Sequence, residues 1–234
     1  MKSTTRTLLI FFLLGFWSNF SWAQTQKEDF STLLQKAKDG DAEAMFQVAR
    51  AYEVEQKNVE QAVFWYQKTA EAKSDASGAW HNLGRIYYSE DSGYQNIEKA
   101  IYWLTKAGNF GATNAMCILG DLYSKGEYIQ ADLKNGIKWY EMAANKNSNY
   151  ASYRLALIYY QEEEYQDFDK AFEWCLKSVS DEANLDNSGL IGKMYYQGDG
   201  TEVDKYTGMW YLILAAHTGH SESYEFLKTL GFVD

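Results

Sequence analysis

Apolar and small residues recur along this chain with a period far longer than the turn of any single helix or strand. Aligning Ala44, Ala79, Ala115, Ala151, Asn187 and Ser223 as one position gives successive spacings of 35, 36, 36, 36 and 36 residues. Four and five residues beyond this anchor an aliphatic residue precedes a small one: Val48-Ala49, Leu83-Gly84, Leu119-Gly120, Leu155-Ala156 and Ile191-Gly192. Eight residues beyond it stands Tyr52, Tyr87, Tyr123, Tyr159 or Tyr195. Offsets of 0, 4, 5 and 8 share one face of an α-helix, so each copy opens with an amphipathic helix.

A second pattern follows with the same period. Ala62-x-x-Trp65-Tyr66, Ala100-x-x-Trp103-Leu104, Gly136-x-x-Trp139-Tyr140, Ala171-x-x-Trp174-Cys175 and Gly208-x-x-Tyr211-Leu212 fall into register, with small residues a further turn on, as in Ala143-Ala144 and Ala215-Ala216. This too is a helical face, with small side chains where a neighbouring helix approaches closely. Polar or Gly-rich turns separate the two helices, as in Ser124-Lys125-Gly126-Glu127 and Gln197-Gly198-Asp199-Gly200. A lone pair would leave its Trp-Tyr face in water, so the units are stable only when stacked. The prediction is an all-α chain: an α-solenoid of five helix-turn-helix repeats at 44–78, 79–114, 115–150, 151–186 and 187–222. A lone helix over Asp29–Lys38, within an N-terminal capping segment 24–43, closes one end, and a helix over Ser223–Leu230, within 223–234, closes the other. No linker divides the repeats, so they read as one superhelical domain.

The first 23 residues stand outside this pattern. Lys2 and Arg6 precede the apolar run Leu8–Trp17, which is too short to span a bilayer, and Ser21 and Ala23 are spaced as in a leader-cleavage site. The expectation is a signal peptide over 1–23, cut after Ala23, and a product exported to a bacterial periplasm or secreted, without membrane insertion. Removing Lys2 and Arg6 leaves 20 basic against 32 acidic residues. Such a surface excludes nucleic acid and anionic lipid as charge-driven partners.

Proline is absent and 17% of residues are aromatic, which suits uninterrupted helices with much ring surface. Cys117 and Cys175 lie at non-equivalent places in different repeats, so two buried thiols are expected rather than a disulfide framework. No G-x-S-x-G, H-E-x-x-H or P-loop occurs. His217-x-x-His220 lacks the third and fourth ligands of a metal site and suits a helix C-terminus, where His favours the dipole. Asp199, Glu202 and Asp204 lack the ligand alternation of a calcium loop. No catalytic residue, metal or cofactor is assigned.

The joint pattern Ala-x3-Leu-Gly-x2-Tyr-x2-Gly followed by Asp-x2-Lys-Ala/Gly-x2-Trp-Tyr-x2-Ala-Ala resembles the Sel-1-like repeat of the tetratricopeptide-like superfamily. The third copy carries it best, in Ala115, Leu119, Gly120, Tyr123, Gly126, Asp132, Gly136, Trp139, Tyr140, Ala143 and Ala144. The first departs most, with a shortened turn lacking Gly between Tyr52 and Ala62. The resemblance implies a right-handed superhelix and a non-catalytic scaffold that binds another protein. It also implies roles found among exported relatives: immunity proteins that neutralise a secreted antibacterial effector, or envelope assembly and signalling adaptors. A Cys-rich branch is linked to β-lactam hydrolysis, but Cys117 and Cys175 fall off its positions.

In such a superhelix the first helix of each pair lines the inner surface, and the residues facing inward lie two, six and nine beyond the anchor. These are Phe46, His81, Cys117, Tyr153 and Gly189; Arg50, Arg85, Asp121, Leu157 and Lys193; and Glu53, Tyr88, Ser124, Tyr160 and Tyr196. Tyr and Arg most often anchor interfaces, which selects Arg50, Arg85, Tyr88, Tyr153, Tyr160 and Tyr196 as the candidate partner surface.

Overall fold

The computed structural model describes residues 29–179 and 187–233, and the expected leader lies outside them. Internal contacts divide the chain into two units, one ending at Lys73 and the other starting at Ser74. The first contains α1 (Phe30–Lys38), α2 (Ala42–Arg50) and α3 (Val59–Ala72). The second contains α4 (Ser77–Tyr88), α5 (Ile97–Asn109), α6 (Thr113–Lys125), α7 (Leu133–Ala144), α8 (Asn149–Gln161) and α9 (Phe168–Ser178). It continues with α10 (Ser188–Gln197), α11 (Lys205–His217) and α12 (Ser221–Thr229). There is no strand among the described residues. Helices α2, α4, α6, α8 and α10 carry the first sequence pattern and α3, α5, α7, α9 and α11 the second.

One device joins the two helices of every pair. The residue four before the second-helix anchor, Asn58, Asn96, Asp132, Asp167 or Asp204, is an N-cap whose side-chain oxygen accepts a backbone N–H at 3.0 Å. Its own N–H donates to the carbonyl of the recurring tyrosine, Tyr52, Tyr87, Tyr123, Tyr159 or Tyr195, at 2.8–2.9 Å. The turn is thus tied at both ends: the tyrosine lies near the end of one helix and the Asn or Asp starts the next. In the first repeat the shortened turn is built differently. Helix α2 runs on through a π-helical turn at Ala51–Glu55, and Lys57, with φ 53°, takes the left-handed conformation that Gly126 and Gly198 take in later repeats.

Small residues at offset five set how closely paired helices approach. A Cβ on Gly120 would lie 2.5 Å from the ring of Tyr140, and one on Gly84 would lie 2.5 Å from Leu104 Cγ. With that space left open, Leu83, Leu104, Leu119, Tyr140, Leu155, Ile191 and Leu212 become buried. Each such side chain contributes about 1.5–3 kcal/mol through burial. In the second unit α5 packs on α6, α7 on α8 and α11 on α12, so successive pairs share one core. Its centre runs through Met116, Tyr140, Leu155, Tyr159, Ile191 and Met194.

Candidate functional site

Successive first-type helices of the second unit lie side by side, and their offset positions meet. Tyr153, Leu157 and Tyr160 of α8, with Gly189 and Lys193 of α10, line a cleft of about 110 Å³ that His220, Glu222 and Phe226 of the last turn and helix complete. These α8 and α10 residues lie two, six and nine positions beyond their anchors. The walls are aromatic. Lys193 Nζ stands 5.2 Å from the centroid of Tyr160, and Phe226 meets the Tyr196 ring edge-on at 5.8 Å. The Tyr160 hydroxyl donates to Asp199 at 2.8 Å; burial first, and that carboxylate second, raise its pKa above the usual phenol range. Tyr160 therefore also ties α8 to the turn after α10.

Gly189 is not open surface. A Cβ there would lie 2.5 Å from Ser223 Oγ and 2.8 Å from His220 Cε1. His220 caps α12, its Nδ1 accepting the Ser223 N–H at 3.3 Å, so it starts the next helix rather than ending α11.

Of the six sequence-selected residues, five belong to the second unit and one to the first. Tyr153 and Tyr160 share the cleft, and Tyr196 adjoins it through Phe226. Tyr88 lies at the end of α4, where its ring meets Tyr128 edge-on at 5.8 Å, while Tyr128 donates to Glu90 at 2.6 Å. Arg85 is exposed on α4. Arg50 belongs to the first unit, where with Phe30, Leu33, Gln47 and Val54 it lines a groove between α1 and α2.

A polar centre beside the cleft went unread in the sequence. Asp121 of α6 accepts hydrogen bonds from Tyr140 at 2.9 Å and Tyr150 at 2.8 Å, with Lys125 at 3.8 Å and Arg154 at 3.9 Å. Burial, foremost, pushes both tyrosine hydroxyls above their ordinary range. Tyr150 and Arg154 lie one before and three after their anchor, off the face that offsets two, six and nine define. This centre clamps α6, α7 and α8 and presents no activated group. Cys117 contacts Ser148 Oγ at 3.4 Å with its thiol pKa raised by burial, and burial pushes Cys175 up to about 12. Both cysteines are free, and neither has thiolate character.

Repeated capped helix pairs stacked on a shared core define an all-α repeat solenoid. The Sel1 repeat matches residues 42–74, 79–109, 113–148, 149–180 and 190–220, and the chain belongs to that family. A sel1-like repeat-containing protein, L21, of Acanthamoeba polyphaga mimivirus is 31% identical over 103 residues, which cover 44% of this chain and 18% of that protein. Among solved structures, a protective antigen of uropathogenic Escherichia coli strains with an SLR fold superposes with TM-score 0.73 at 25% identity, covering 83% of this chain and 42% of that one. A Sel1 repeat protein from Oxalobacter formigenes superposes with TM-score 0.68 at 23% identity, covering 89% and 62%. The chain spans less than two thirds of the length of each of these.

Proposed function

We propose that this chain is an exported, non-catalytic module that binds another protein through the faces of its first-type helices. The observation that carries this reading is the cleft in which the inward offsets of α8 and α10 come together: an aromatic-walled hollow with one ammonium, of the composition that anchors interfaces. The sharper form of the proposal is neutralisation: the chain, cut after Ala23, covers a secreted effector in the periplasm. The leader-like segment and the surplus of 32 acidic over 22 basic residues support it, since an acidic binder suits a cationic target.

The test uses the chain as bait on an envelope fraction. A partner held by wild type should be lost or weakened about 10-fold or more by Lys193→Ala and by Arg85→Ala, with melting temperatures unchanged. Tyr102→Ala, on an exposed second-helix face, should bind like wild type. Retention by the first two variants and loss by the third would place the interface on the other face. Expressing the captured protein alone should arrest growth, and co-expression with this chain should restore it; a harmless partner would replace neutralisation with an adaptor role.

A further inference from the structure

Helix α11 departs from the other second-type helices in a way that packing among the described residues does not explain. Its inner face is used: Gly208, Leu212 and Ala215 are buried, and the Tyr211 ring stacks on Tyr195 with centroids 6.1 Å apart. Yet its outer face is apolar too. Tyr206 is 93% exposed, Trp210 59% and Ile213 46%, and Val203 just before the helix is 58% exposed. A helix apolar on all sides ordinarily has a neighbour on all sides.

The repeat register shows where this face departs from the others. Where α11 has Tyr206, two before the anchor, the other four repeats have Glu60, Glu98, Lys134 and Asp169. The Trp210 position is charged in the third and fourth repeats, as Lys138 and Glu173, and an exposed aromatic in the first and second, as Phe64 and Tyr102, so it is the addition of Tyr206 that widens the stripe on α11. Moreover, α11 is the one second-type helix with no Asp or Glu, in a chain with 32 of them.

Three features specify what covers this stripe. Tyr206, Trp210, Ile213 and His217 are spaced 4, 3 and 4 residues apart, the alternation with which one helix meshes along another. From their exposures Val203, Tyr206, Trp210 and Ile213 offer about 500 Å² per copy, at the upper end of what a monomer leaves open, so that covering them in two copies would remove about 1,000 Å² from water, the threshold for a specific interface. Finally, association of like chains carrying a net charge of −10 is opposed wherever acids meet, and within α11 itself there is none.

We infer that two copies of this chain associate about a two-fold axis crossing α11, the helices packed antiparallel so that Trp210 of one protomer sits against the partner's Ile213. The antiparallel arrangement also brings Lys205 to the C-terminal carbonyls of the opposite helix, where a cation is favoured.

Sedimentation equilibrium of the full chain over a broad concentration range should show a reversible approach to twice the chain mass. Trp210→Glu should weaken the dimer about 30-fold or more at an unchanged melting temperature, and Tyr102→Glu on α5 should leave it intact. A photo-reactive phenylalanine in place of Tyr206 identifies the occupant directly: the inference expects a product of twice the chain mass, joined within α11. A monomer at all concentrations, a cross-link into residues 1–28 of the same chain, or a cross-link only to a different protein would each overturn it.

Discussion

Trp139 shows how one side chain serves two repeats. Its ring is half-buried on the central core, and a Cβ added to Gly108 of α5 would fall 2.9 Å from its Cζ3. The tryptophan of one pair thus rests on a bare stretch of the preceding one. Trp139→Ala leaves a cavity at that junction and should cost about 3 kcal/mol in denaturant-induced unfolding. A loss below about 1 kcal/mol would mean the ring behaves as surface. Within a pair the complementary change is Gly120→Ala, whose methyl must displace the buried Tyr140 ring. It should destabilise by about 1–3 kcal/mol, read in the same titration, even though Ala49 and Ala156 occupy the equivalent position elsewhere. The need for a small residue at offset five was legible in the sequence. Which large residue it accommodates was not, because Tyr66, Leu104, Tyr140, Cys175 and Leu212 differ in volume and each pair settles at its own separation.

At the scale of elements, the capped turn carries more of the fold than its lack of a conspicuous motif suggests. Asn96→Ala removes the acceptor for the Lys99 N–H and should cost about 1 kcal/mol in thermal or denaturant melts, whereas Asn96→Asp should be near neutral. Two of the caps add a pH dependence. The Asp167 carboxyl pKa is lowered chiefly by the Lys170 backbone N–H, and that of Asp204 by the Thr207 hydroxyl and N–H. Because both are lower in the folded state, their contribution is complete above the unfolded carboxylate value of about 3.9 and is lost as pH falls through the folded value. Asp204→Asn should therefore flatten the fall in melting temperature below about pH 4 while leaving it little changed at neutral pH; an identical acid limb in the variant would remove Asp204 from the account. Helix positions followed from periodicity alone, since offsets of 0, 4, 5 and 8 admit no other element. The π-turn after Arg50 did not, because it compensates for a turn too short for the standard geometry and leaves no residue signature of its own. For the site, the offsets placed Tyr153, Tyr160 and Lys193 on one cleft. They missed His220 and Phe226, which belong to a sixth, incomplete copy with no second motif to fix its register.

Across the second unit, stability should follow position along the stack, because a helix in a solenoid is held only by its immediate neighbours. Helices α6, α7 and α8 have a pair on either side and meet at the Asp121 centre, while α12 rests on α11 and α10 without a second-type helix of its own. Of its side chains only Ser223 and Leu227 are buried. Opening α12 therefore exposes little apolar area, whereas opening α7 exposes the Tyr140 ring and removes its hydrogen bond to Asp121. Native-state hydrogen exchange should rank the amides accordingly: slowest in α6 to α8, at rates set by global unfolding, and fastest in α12, through local opening that leaves the rest intact. Trp139→Ala should speed exchange in α5 to α8 far more than in α12, because it removes a contact that only those pairs share. Uniform protection from α4 to α12, with α12 accelerated as much as α7 by the substitution, would show instead that the unit opens as one cooperative body rather than repeat by repeat.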